Sequence, residues 1–263
     1  MKSPIHFGTS GWRGLIARDF TFEHLRLAAQ GLALTLKSEL RRKNSPIHGK
    51  RPLVVIGHDT RFLGREFALA TAEILQQADL EPLLTNRDAP TPVIAFSIRH
   101  KKAIGGVNIT ASHNPFGYSG FKFSMPNGAG APPEFTGKIE AHAEKLLAKG
   151  WQPKTAVIGT FSCPEFDPAP AYLRRIRKLV DLQAIGKAKL RIAVELMHGT
   201  GRGYLDTLLE EAVSKVTCFH ENLNPLFGGG SPEPNESGMA EAAQKGILCF
   251  RAVSYMNCAS AQR

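Results

Sequence analysis

Apolar residues in the first half of the chain alternate between two spacings. Leu25, Ala28, Ala29, Leu32, Leu36 and Leu40 recur at helical intervals, and Asp19 or Thr21 can cap the start, which predicts a helix over about 22–43. The run "PLVVIGHD" predicts a short buried strand from Pro52 to Asp59, followed by a turn from Thr60 to Gly64. Phe67, Ala70, Ile74, Leu75 and Ala78 then make the stripe of a second helix. The strand "EPLLT", a Pro-Thr-Pro loop (Pro90 to Pro92), a helix from about Val93 to Lys101 and the strand "AIGGVNIT" follow. Strands alternating with helices indicate an α/β unit with a largely parallel sheet.

The stretch "VNITASHNPFGYSGFKF", Val107 to Phe123, starts as a buried strand, breaks into a polar loop and closes on a glycine-punctuated turn ending at Lys122. A Gly/Pro loop then leads into a helix from about Glu134 to Lys149. The segment from Trp151 to Asp167 is rich in Pro, Gly and Thr and is the expected boundary between units 1–151 and 152–263. The alternation restarts with a helix near Ala169 to Val180, the strand "KLRIAVEL", a helix from Gly203 to Val213 and the strand "KVTCFH". A long Gly/Pro/Asn loop follows, then the start of a helix at "MAEAAQ", and the closing "GILCFRAVSYMNCASAQR" has no clear amphipathic pattern. No short-period repeat is visible. The second unit therefore reads as incomplete.

Composition adds exclusions. No run of about 18 apolar residues suggests a membrane span, and the N-terminus has no apolar core of a secretory signal. The four cysteines are widely spaced without a C-x-x-C, which fits reduced thiols in a cytoplasmic protein. The net charge of +10 is dispersed, with clusters at Arg41 to Lys43, Arg99 to Lys102 and Arg174 to Lys178, each in or at the end of a predicted helix. Aromatic residues do not interleave with a basic stripe, so nucleic acid is not an expected partner.

Three stretches could hold chemistry. Ser112 follows a strand end, where open α/β sheets bind ligands, with His113 and Asn114 beside it and Lys122 ten residues on. The competing reading is that Ser112 and Asn114 satisfy backbone groups in an ordinary tight turn. In "FGTSGWRG", Thr9, Ser10 and Arg13 could bring backbone N–H groups and a guanidinium to an anion, or form a plain glycine-rich turn. In "GHDTR", Asp59 either orients Arg61 or forms a surface ion pair worth about 0–1 kcal/mol.

Taken in order, GTSGWRG, GHDTR, the PTP loop and TASHNP with Lys122 resemble the α-D-phosphohexomutase superfamily, which includes phosphoglucomutases and phosphomannomutases. "YLRRIRKLVD", "KLRIAVELMHGTGRGYL" and "NPLFGGGSPEPNE" continue the resemblance, which covers about Ile5 to Ala243. It implies one complete three-layer α/β/α domain followed by a truncated second domain of the same type. It implies that Ser112 carries a phosphoryl group, that Lys122 is the general acid/base, and that Arg13 lies near the phosphoserine. His113 and Asn114 would hold the loop and contact sugar or phosphate, and Thr9, Ser10 and Arg61 would belong to the substrate- or phosphate-binding surface. The implied reaction interconverts hexose 1-phosphate and 6-phosphate through a bisphosphate, with hexose 1,6-bisphosphate as activator.

The resemblance also implies Mg²⁺ held by the Ser112 phosphate and three aspartates of a D-G-D-x-D-R loop. Here the chain departs from the family, because no such loop is present and Asp206 is the last aspartate. The third and fourth domains are absent too. The expectation is a truncated mutase inactive alone, its tail from about Gly246 arising from a frameshift or premature stop. The alternatives are a non-catalytic phosphosugar-binding module and an enzyme completed by a second chain.

Overall fold

The computed structural model describes residues 5–9, 11–42, 51–153, 160–213, 215–230, 232–236, 238–244 and 248–251. Strands β1 (Trp12–Leu15), β2 (Leu53–His58), β3 (Glu81–Thr85), β4 (Gly105–Ile109), β5 (Tyr118–Ser124) and β6 (Glu165–Phe166) build one sheet in the order β1-β5-β4-β2-β3-β6. β2 runs parallel to β3 and β4, and β3 parallel to β6. β5 is antiparallel to both β4 and β1, so the sheet is mixed rather than largely parallel.

This edge corrects the expectation of a turn ending at Lys122, which instead lies inside β5 opposite Asn108. The physical reason is a two-residue alternation. Phe121 and Phe123 are buried on one side while Lys122 between them is half-exposed, which is the signature of a strand covered on one face.

Helices α1 (Phe22–Arg42), α2 (Gly64–Gln77), α3 (Thr91–His100), α4 (Pro133–Ala148) and α5 (Ala169–Arg177) cover the sheet. Strand alternation sends Val54 and Ile56 into a core with α1, α2 and α4, while Val55 enters a second core with Val93, Ile94 and Ile98 of α3 and Ala169 and Leu173 of α5. The crossovers explain this division. α2 leads from β2 to β3 and α3 from β3 back across β2 to β4, so right-handed connections place them on opposite faces. The result is a three-layer α/β/α unit in which α5, packed beside α3, and the last strand β6 come from beyond residue 152.

In the second unit, β7 (Ile192–Glu195) lies between β8 (Val216–Phe219) and β9 (Leu248–Arg251), all parallel. Helices α6 (Leu182–Lys187), α7 (Leu205–Ala212) and α8 (Ala240–Gln244) accompany them. Leu208 joins the α3/α5 core while Leu209, its neighbour on α7, packs with Ile192, Val194 and Leu196. One helix thus seals both units. Although the closing stretch has no clear amphipathic pattern, Leu248 to Arg251 pair in register with Ile192 to Glu195. Residues 252–263 lie outside the described residues.

No helix among the described residues is long and apolar enough to cross a membrane. Cys163 and Cys218 carry free thiols, and burial pushes each up to about 11.

Phe20 anchors the larger core, fully buried with its ring centroid 4.6 Å from Trp12 and 5.0 Å from Phe67. Phe20→Ala removes an aromatic side chain that the close-packed neighbours cannot replace. Urea unfolding of this variant is expected to show a loss of about 3–5 kcal/mol.

Candidate active site

The site forms where β2 and β4 end. β3 and β4 lie on opposite sides of β2, so the gap between β2 and β4 is the point where strand order reverses, the usual ligand crevice of an open α/β sheet. β2 delivers Asp59, Thr60 and Arg61, and β4 delivers Thr110 to Ser112.

Arg61 organises the crevice. Its side chain is fully buried, and all five guanidinium N–H groups have acceptors. Nε donates to Asp59 Oδ2 (3.1 Å). Nη1 donates to the carbonyls of Pro115 (2.8 Å) and Tyr118 (3.1 Å), and Nη2 to those of Ser112 (2.5 Å) and Asn114 (2.7 Å). Asp59 also accepts the Arg61 backbone N–H (3.1 Å) and a hydrogen bond from Thr110. The Thr110 hydroxyl in turn accepts the Ser112 N–H (3.0 Å). Burial pushes the Asp59 carboxyl above the usual range, against the opposing pull of Arg61 and Thr110.

Both backbone groups of Ser112 are therefore tied into one network. That network holds Ser112 at φ 68°, in the left-handed region that costs a residue with a side chain about 1–3 kcal/mol. Glycine closes the remaining space. A Cβ on Gly120 would lie 2.5 Å from the Thr110 carbonyl oxygen and 3.1 Å from Arg13 Cγ, so only glycine lets β1 and the loop converge there. Gly11, at φ 100°, is pressed against the backbone at Phe121 and Lys122.

Each expected site residue can now be placed. Ser112 is buried in the loop, and Arg13 reaches the loop from β1, donating from Nη1 to Asn114 Oδ1 (2.9 Å). Lys122 lies on the neighbouring strand β5, half-exposed. His113 is exposed, with Nδ1 3.6 Å from Glu233 Oε2 of the second unit. Thr9 is exposed at the tip of a turn closed by the Gly8–Gly11 bridge, and Ser10 lies outside the described residues. Arg61 is the correction. It was expected on the substrate- or phosphate-binding surface, but its buried fork has no donor left for a ligand.

The sequence reading missed the contribution of the second unit. Phe227 lies under the Arg61 guanidinium, 5.1 Å from ring centroid to Cζ, and Glu233 stands beside His113. Both come from the Gly/Pro-rich loop "NPLFGGGSPEPNE", whose composition conceals where its side chains go. A second junction pairs Arg202 with Asp88, while Arg87 Nη2 donates to the Arg202 carbonyl (2.8 Å).

Among the described residues no group of three or more His, Cys, Asp or Glu could hold a metal ion. Two carboxylates at the loop already have partners, Asp59 in Arg61 and Glu233 beside His113. These residues do not fit a Mg²⁺ site, which needs several oxygen ligands in near-octahedral array.

A three-layer α/β/α unit with a clamped serine loop at its switch point is the arrangement that the phosphohexomutase resemblance implies. Residues 4–149 match the family model described as phosphoglucomutase/phosphomannomutase, alpha/beta/alpha domain I, and residues 170–251 match that for domain II. The chain belongs to the phosphoglucomutase/phosphomannomutase family. It is 34% identical over 242 residues to a phosphoglucomutase/phosphomannomutase of Thermococcus kodakarensis, covering 89% of this chain and 48% of the relative. It is 29% identical over 226 residues to human phosphoglucomutase-1, covering 76% and 40%. A crystal structure from Thermus thermophilus, assigned as a phosphomannomutase, superposes with a TM-score of 0.80 at 33% identity, covering 95% of this chain and 55% of that one. The chain thus spans about half the length of the curated relatives it matches.

Removing the clamp has a defined cost. Arg61→Ala leaves the Asp59 carboxylate buried without its cation, and is expected to lower stability by about 3–5 kcal/mol in urea unfolding. The double variant Arg61→Met/Asp59→Asn is expected to recover part of that loss, because no uncompensated charge remains.

Proposed function

We propose that Ser112 is a phosphoryl carrier for the interconversion of hexose 1-phosphates and 6-phosphates. The observation that carries this reading is the Arg61 network, which holds Ser112 in a strained backbone conformation at the switch point, in a loop that Arg13 reaches through Asn114 and next to the strand that bears Lys122. Phosphoryl transfer asks a protein chiefly for positioning and charge neutralisation, and the loop offers both.

In the first half-reaction the P–Oγ bond of phosphorylated Ser112 breaks while a bond forms between phosphorus and O6 of a hexose 1-phosphate. Lys122 relays the proton leaving the O6 hydroxyl to the departing Ser112 Oγ, which becomes a free hydroxyl. The resulting bisphosphate turns around, its P–O1 bond breaks as the P–Oγ bond re-forms, and Lys122 takes the Ser112 hydroxyl proton and delivers it to O1. Arg13 spends one donor on Asn114, so the rest of its fork can meet the phosphoryl oxygens. Asn114 orients Arg13, His113 contacts substrate at the exposed rim, and Thr9 lies on the same face. Arg61 acts on the reaction only through the loop.

The proposal concerns the half-site that this chain contains, since its relatives are about twice as long. Incubation with glucose 1,6-bisphosphate is expected to raise the intact mass by one phosphoryl group, with fragmentation placing it on Ser112. Ser112→Ala should show no increase. An unmodified wild-type chain that still binds hexose phosphate saturably would contradict the carrier role and leave a phosphosugar-binding module.

A further inference from the structure

Two of the basic clusters in the sequence belong to different helices, and the fold brings them to one groove. The last turn of α3 supplies Arg99 and His100, α5 supplies Arg175, and the turn at Asn127 and Gly128 forms the third wall around about 450 Å³. That volume lies within the range of about 300–1,000 Å³ common for small-molecule sites.

The groove is separate from the Ser112 crevice. The N-terminal end of α3 is fixed near the end of β4, where Asn108 Nδ2 donates to Thr91 Oγ1 (3.1 Å). The ten residues of α3 then carry the chain about 15 Å to Arg99 and His100, toward the opposite end of the strands.

Charge distinguishes this groove from an ordinary solvated surface. Three other helix cations find carboxylates: Arg177 pairs with Glu211, Arg65 with Glu165 and Arg42 with Glu39. Among the described residues no carboxylate pairs with Arg99 or Arg175, although Arg175 is only two residues from Arg177 on the same helix. Two uncompensated guanidinium groups facing one concavity raise the local concentration of anions, and their planar forks match phosphate oxygens.

The walls are shaped in advance. Gly128 has φ 86°, and a Cβ there would lie 2.9 Å from the Ala95 carbonyl oxygen, so the turn approaches α3 as closely as only glycine allows. Hydrogen bonds from Gly128 N to the Met125 carbonyl (2.8 Å) and from Ala129 N to Asn127 Oδ1 (3.0 Å) fix it. With Oδ1 engaged, Nδ2 of Asn127 is the available donor. On the other side the His100 ring stacks on Phe96 (5.3 Å, 12°), which meets the edge of Tyr172 (5.6 Å, 75°). Two cations, an amide donor and an aromatic surface lining one concavity suit a phosphate joined to a ring.

We propose that this groove binds a small phosphomonoester carrying a ring, with Arg99 and Arg175 holding the phosphate and the Phe96–His100 pair contacting the ring. The test is a residue-resolved amide NMR titration of the full chain with inorganic phosphate and with phenyl phosphate, at constant ionic strength. Saturable shifts are expected around residues 96–102 and 126–129, stronger for phenyl phosphate. Arg99→Ala and Arg175→Ala, both at exposed positions, should each weaken binding about tenfold with the circular dichroism unchanged. Ser112→Ala should leave these shifts intact. Shifts that never saturate, undiminished binding in both arginine variants, loss in Ser112→Ala, or a response to an oligonucleotide but not to phenyl phosphate would each overturn the proposal.

Discussion

One buried guanidinium holds this site together. Arg61 spends all five of its donors on a carboxylate and four carbonyls, and three of those carbonyls belong to Ser112, Asn114 and Pro115. A loop that turns its carbonyls inward has no neighbouring strand to satisfy them, so a single planar cation replaces the ladder that β4 has just left. The cost is a buried charge, offset by Asp59, which is itself held by Thr110. Ser112 is strained because it sits between the two ends of this network.

The second unit acts on the same residue from the other side. Phe227 covers the guanidinium and also lines a cavity with Glu195, His198 and His220. Glu195 is buried at the end of β7, accepting the Met197 N–H (2.7 Å) and facing His220 Nδ1 (2.9 Å). Met197, His198, His220 and Phe227 all have positive φ, so the loops at the ends of β7 and β8 are shaped as tightly as the serine loop. The two sheets thus meet through their loop ends, with the Arg202–Asp88 pair as a second tie.

Much of this was legible in the sequence, for physical reasons that also mark its limits. α1 was readable because its buried stripe recurs over 21 residues, and β2 because an apolar run ends at a turn signal. β5 was misread because Gly117 and Gly120 suggest a turn, although Phe121 and Phe123 flanking Lys122 carry the strand period. The motif residues around Ser112 were visible one by one. The role of Arg61 was not, because burial depends on Phe227 and on the carbonyls of residues more than 50 positions away. The groove between α3 and α5 was hidden for a similar reason: each basic cluster reads alone as a helix end, and only packing makes them face each other.

On the proposed function, Arg61 lets Ser112 carry the phosphoryl group by holding the loop, without touching substrate. The most direct measurement compares the rate of phosphoryl uptake at Ser112 from glucose 1,6-bisphosphate in the natural chain and in a folded Arg61→Lys variant, followed by peptide mass spectrometry. A lysine keeps the charge but cannot span four carbonyls, so uptake should slow by about a hundredfold as the loop loses its position. Equal rates in the two proteins would contradict the account.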